Sequence, residues 1–218
     1  MLAAQQESAS IAPGGLVAGP AAAATRARFD VALLRLPLLV LAGVLLLGSM
    51  LVPYWTITLH APQYPKGLHI QAHVSEMTGD VFEVDGLNHY IGMMKLEDAA
   101  VLERAISQPA IIIIAVLAVL SFWLPRPWRA VARVPMIVYP VVFFLDLFAW
   151  LYYAGNSLDP HAPLSSSIKP FTPHIVGIGT IGQFSTEAAF TIGFYLSVAA
   201  ALVALAVTVW DWRRSRAT

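Results

Sequence analysis

Of the 218 residues, 58% are hydrophobic and only 12% are charged, with thirteen basic and thirteen acidic side chains. Soluble domains carry about 25% charged residues, so the composition points to a membrane protein, and zero net charge gives no case for a nucleic-acid partner. The chain has no cysteine, which excludes disulfides, thiolate metal sites, iron–sulfur clusters and cysteine nucleophiles and leaves histidine, methionine and carboxylate as metal ligands.

Residues 1–25 are Ala-, Gly- and Ser-rich with one acid, Glu7, and the stretch 1–30 reads as a disordered cytoplasmic tail. No basic region precedes an early apolar core, so this is not a typical signal peptide. Arg26, Arg28 and Arg35 flank a run, Leu36 to Val52, that is free of charge. The expected first transmembrane helix covers 31–53, retained because no small-residue cleavage site follows, with Tyr54 and Trp55 at the interface. Further apolar runs predict transmembrane helices at 109–125, 136–154 and 188–210, with a basic cytoplasmic loop at 126–135 and a cytoplasmic tail at 211–218. The fold class expected is therefore an all-α membrane protein of four transmembrane helices with a small β-containing extracytoplasmic domain.

Charge sets the orientation. Nine of the thirteen basic residues fall before the first run, between the second and third, or after the fourth. The positive-inside rule puts those places, and both termini, in the cytoplasm. Segments 54–108 and 155–187 then face outward. With the adjoining Pro53 they hold nine acids against four bases and all six histidines.

The first outer segment is PYWTITLHAPQYPKGLHIQAHVSEMTGDVFEVDGLNHYIGMMKLEDA. Residues 54–61 and 68–74 alternate apolar with polar, which predicts two strands of a hairpin joined through APQYPKG. Were His60 opposite His69, both rings would share the polar face with Cβ atoms about 5 Å apart. His69 and His73 resemble a helical metal pair, but on a strand they stand about 13 Å apart and cannot share an ion. Val81 to Val84 reads as a short strand, Asp85-Gly86 as a turn, and Leu96 to Ile106 as a short helix. His89 lies four and five residues before Met93 and Met94, beside Gly92. Imidazole with thioether and no thiolate suits copper, Cu(I) above all. The bland reading of the same residues is packing under the hairpin with His89 at a turn. The second outer segment, rich in proline and glycine, predicts an irregular loop. There His161 and His174 either complete a site or bond to loop backbone.

Asp146 lies in FFLDLFAW, near the middle of the third run. A carboxylate at that depth usually faces a bundle interior or a partner. It reads either as a proton or ion relay or as an intramembrane contact, and no basic residue within the expected spans offers it an ion pair. No G-x-S-x-G, P-loop or H-E-x-x-H is present, so no enzymatic activity is expected.

PYWTITLHAPQYPKGLHIQAHV with DGLNHYIGMMKLEDA, and the later AGNSLDPHAPLSSSIKPFTPHIVGIGTIGQF, resembles a family of small bacterial multi-span membrane proteins. That family is associated with gene neighbourhoods of respiratory copper enzymes, notably nitrous-oxide reductase maturation. The resemblance covers both outer segments, about half the chain. It implies copper handling (a metallochaperone or assembly role) at the bacterial cytoplasmic membrane. The partners it implies are an extracytoplasmic copper enzyme or other membrane subunits, besides the lipid bilayer. It carries over His60, before APQYP, and His89 and Met93, in LNHYIGM, as copper ligands. Met94 joins them by proximity, and His69, His161 and His174 are secondary candidates. The competing expectations are a structural or scaffolding subunit of a larger membrane complex that binds no metal, and a transporter or channel subunit working through Asp146.

Overall fold

The computed structural model describes residues 34–181 and 184–216, and the expected tail at 1–30 and the start of the first expected span lie outside them. In chain order the elements are α1 (Arg35–Ser49), β1 (Trp55–Ala61), β2 (Tyr64–Ala72), β3 (Met77–Gly79), α2 (Val81–Ile91), a 3-10 turn (Leu96–Asp98), α3 (Val101–Leu120), α4 (Arg126–Asn156), β4 (Gly177–Ile181), β5 (Phe184–Phe190) and α5 (Ile192–Arg216).

Three helices, α3, α4 and α5, are long and apolar enough to cross a membrane, which makes this a multi-pass membrane protein by length and composition. Their outward faces carry Ile112, Ile113 and Val116, then Val141, Leu145 and Phe148, then Leu202 and Leu205, all exposed. Water would oppose such surfaces, whereas hydrocarbon suits them. The inward faces are built from small residues at helical spacing. Ala200 and Ala204 of α5 cluster with Ala42 and Leu46 of α1, Ile111, Ala115 and Ala118 of α3, and Met136 of α4, and Ala201 and Val207 of α5 are buried as well. Without a hydrophobic drive between helices in lipid, close backbone approach through small residues is what holds such a bundle. α1 has 15 residues. At 1.5 Å per residue it rises about 22 Å, short of a hydrocarbon core of about 30 Å.

One end of the bundle is tied by charge. Arg133 of α4 is only 1% exposed and donates to Asp211 of α5 at 2.8 Å and to the Ser121 hydroxyl after α3 at 2.7 Å. The other Asp211 oxygen pairs with Arg35 of α1 at 2.8 Å. Four helices thus share one cluster.

The opposite end carries a five-stranded antiparallel sheet in the order β3-β2-β1-β5-β4. It is clamped to the bundle where Tyr54 is buried, its hydroxyl 2.5 Å from Ser49 Oγ and its ring against Tyr139 and Phe143. Gly193 at the start of α5 allows the approach, because a Cβ there would fall 2.6 Å from the Tyr54 ring.

The structure differs from several sequence expectations. The second outer segment is not merely irregular: β5 pairs with β1 from Ser185 to Phe190, and β4 closes the edge. The segment from Val81 is helix, not strand and turn, because Val84, Leu87 and Ile91 pack as one face on the sheet and lining cavity. The basic stretch 126–135 is the first turns of α4, so the loop before it is only a few residues long. The second span starts near Val101, after a break at Ala100 with φ 52°, and runs through Pro109. Helix α5 begins at Ile192, with 188–190 given to the sheet.

Candidate functional site at the sheet end

The two faces of the sheet differ by the two-residue period of a strand. Trp55, Ile57 and Leu59 of β1, Leu68, Ile70 and Ala72 of β2, and Phe184, Thr186 and Ala188 of β5 turn toward α2 and the end of α4. Thr56, Thr58 and His60, with His69 and Gln71, turn away. The register sets Thr58 against His69, with Thr58 Oγ1 2.9 Å from His69 Nδ1, and sets His60 against Ser185. The register that pairs Thr58 with His69 puts His60 two residues beyond that pair, so the expected direct opposition does not form. His60 instead lies over Gly67, where a Cβ would come 3.2 Å from its ring. His73 is half-buried in the turn before β3, and His174 is exposed beside Gly179 at the other edge.

Between the inward sheet face, α2 and α4 lies an apolar cavity of about 140 Å³. Met93 and Met94 line it together with Trp55, Leu147, Trp150 and Leu151. The two methionines and His60 therefore stand on opposite faces of the sheet. His89 occupies a third position, exposed on the side of α2 that faces away from the cavity. That side also bears Phe82, 84% exposed, and Tyr90, 54% exposed. Residues 82, 86, 89 and 90 fall on one stripe by helical spacing.

The C-terminal end of α2 is held by the second polar segment. Gly92 takes φ 80° and ends the helix, and its carbonyl accepts from the Asp159 N–H at 2.8 Å. The Leu164 N–H donates to the Tyr90 carbonyl at 3.0 Å. Asp159 in turn accepts from the His161 backbone N–H at 2.9 Å and lies 3.2 Å from His161 Nδ1. That backbone bond, with the His161 ring and the charge of His89 adding to it, holds the Asp159 carboxyl below the usual carboxylate range. Asp159 and His161 thus sit at the C-terminal end of α2, while Met93 packs inward with Ile91 and Phe184, and among the described residues no three His, Asp or Glu side chains form a metal-holding group.

Asp146 is half-buried in a cleft shared with His73, Glu103, Arg104 and Tyr139. The cleft reaches the 72–77 turn and the first turns of α3, so Asp146 sits toward the sheet end of α4 and not at its middle. Glu103 and Arg104 are part of α3, so charged groups do enter that helix, yet among the described residues no ion pair reaches Asp146.

The α2 stripe and the Arg133–Asp211 cluster were missed in the sequence. The first hid behind a turn signal. The second is written in the i, i+3, i+7 spacing of Arg126, Arg129 and Arg133, which puts them on one face of a helix. Compared with protein-family models, curated proteins and solved structures, the chain matches none.

Proposed function

We propose that this chain is a non-catalytic accessory protein of the bacterial cytoplasmic membrane that docks an extracytoplasmic respiratory copper enzyme of the nitrous-oxide-reductase type. Four spans hold it, with α1 as the short first crossing. The exposed Val40, Leu41 and Val44 of α1 support that crossing. Both termini are cytoplasmic, since the basic residues cluster at the Arg133 end of the bundle and the positive-inside rule favours that end inside. The sheet domain is then extracytoplasmic.

The observation that carries the docking reading is the aromatic stripe of α2. Phe82 and Tyr90 flank His89 on a helix whose other face turns to the sheet and the apolar cavity. Exposed aromatics on a rigid element suit the centre of a protein interface. The class of partner rests on the sequence resemblance. Phe82→Glu with Tyr90→Glu is expected to lower the copper enzyme's activity in cells at unchanged abundance of this protein. Unchanged enzyme activity would remove the reading.

Copper handling is the second reading, favoured by the Asp159–His161 contact held against the end of the helix that bears His89. His60, on the far face of the sheet, and Met93 and Met94, lining the apolar cavity, stand apart from it. Anaerobic Cu(I) loading and desalting separates the two. Docking alone predicts no retained copper, whereas the carrier reading predicts about one copper per chain that falls in His89→Ala and His161→Ala.

A further inference from the structure

The end of the bundle opposite the sheet holds a second cavity, of about 400 Å³, that the proposed function does not use. Five guanidinium groups line it, from Arg35, Arg126, Arg129, Arg133 and Arg214, against one carboxylate, Asp211. Arg126, Arg129 and Arg133 share one face of the first turns of α4 by their spacing. Asp211 pairs with Arg35 and Arg133 at 2.8 Å each, which fixes those two groups but leaves the wall strongly positive. The Arg35 Nε is buried and, among the described residues, has no hydrogen-bond partner. Indoles sit at the same level: Arg35 and Arg214 lie over the Trp210 ring at 5.9 and 5.2 Å, and Arg216 lies 4.0 Å over that of Trp212. Tryptophan and arginine at the ends of membrane-length helices mark the headgroup layer.

We infer that this cavity binds a phosphate group, as carried by the headgroup of an anionic phospholipid. Guanidinium forks match phosphate oxygens in geometry, and a buried donor without a partner gains most from such an acceptor. Basic pockets between membrane helices are suited to this ligand class. The alternative source of the same chemistry is free phosphate from solution. The inference does not depend on the docking or copper readings.

The test uses the full chain, delipidated in neutral detergent, with native mass spectrometry for bound lipid and thermal unfolding for bound phosphate. The probes are phosphatidylglycerol, phosphatidylcholine and inorganic phosphate. The expected result is one phosphatidylglycerol retained per chain in preference to phosphatidylcholine and not displaced by inorganic phosphate. R126Q with R129Q is expected to weaken it roughly tenfold or more. R126Q alone, at an exposed position that leaves the Arg133–Asp211 pair intact, is expected to weaken it roughly fivefold. R213Q, outside the cavity, is expected to leave it unchanged. A saturable shift with inorganic phosphate, sensitive to R126Q, but no lipid preference would assign the site to free phosphate. No preference for either probe, or equal loss in R213Q and R126Q, would overturn the inference.

Discussion

Arg133 shows why a charge can lie inside a membrane bundle without being an active group. It is nearly inaccessible, yet its donors reach Asp211 and Ser121, so the charge is both paired and hydrogen-bonded. Removing one partner of such a pair leaves the other uncompensated, at a cost of about 3–5 kcal/mol. Asp211→Ala is therefore expected to lower the thermal midpoint in detergent sharply, and a shift indistinguishable from that of a surface substitution would refute the role. Gly92 makes the second residue-level argument. Its φ of 80° lies in the left-handed region, and a Cβ there would fall 2.7 Å from the Asp159 carbonyl. Left-handed backbone alone costs a non-glycine residue about 1–2 kcal/mol. Gly92→Ala should speed amide exchange at Asp159 and Leu164, the two donors that hold the second segment to α2, and unchanged protection would contradict the clamp. Asp159 adds a pH dependence. Its carboxyl is held low in the folded state by the His161 N–H, so its stabilising contribution is present above the unfolded carboxylate value. That contribution is lost as pH falls through the lower folded value, and amide exchange at His161 should accelerate only in that acidic range.

Among the elements, β1 and β2 were legible because Trp55, Ile57 and Leu59, and Leu68, Ile70 and Ala72, alternate against polar neighbours. Strands β4 and β5 were not, for a physical reason: in GIGTI and FSTEAAF the Ile and Phe residues are diluted by glycine, alanine and polar residues, and a buried Thr186 breaks the apolar period. Their pairing partner is β1, far away in sequence, so no local pattern encodes it. Helix α2 was hidden because Asp85-Gly86 is locally a turn, while its helicity comes from packing Val84 and Leu87 onto the sheet. The β1–β5 register gives a direct check in a chain that has no cysteine. Thr56→Cys with Ala189→Cys places two thiols on directly opposed residues, within reach of a disulfide. It should form under mild oxidation, whereas Thr56→Cys with Ile178→Cys, on the edge strand beyond β5, should not. The reverse pattern would break the sheet order.

For the molecule as a whole, the composition gave the membrane class directly, and the charge asymmetry gave a candidate orientation. The candidate ligands illustrate what a sequence conceals. His89 and Met93 are four residues apart and His60 lies in the same outer segment, but the sheet separates His60 from the methionines and α2 turns His89 outward. What the fold brings together instead is the end of α2 at Gly92 with Asp159 and His161, across segments that no spacing rule connects. The same folding exposes Phe82 and Tyr90 beside His89, and this shared face is what the docking account rests on. The most direct measurement replaces Phe82 with a photo-crosslinking residue in cells that make the copper enzyme, beside the same replacement at Gln71 on the opposite sheet face. The account predicts a covalent adduct with the enzyme from position 82 and none from position 71. No adduct from position 82, or equal adducts from both, would contradict it.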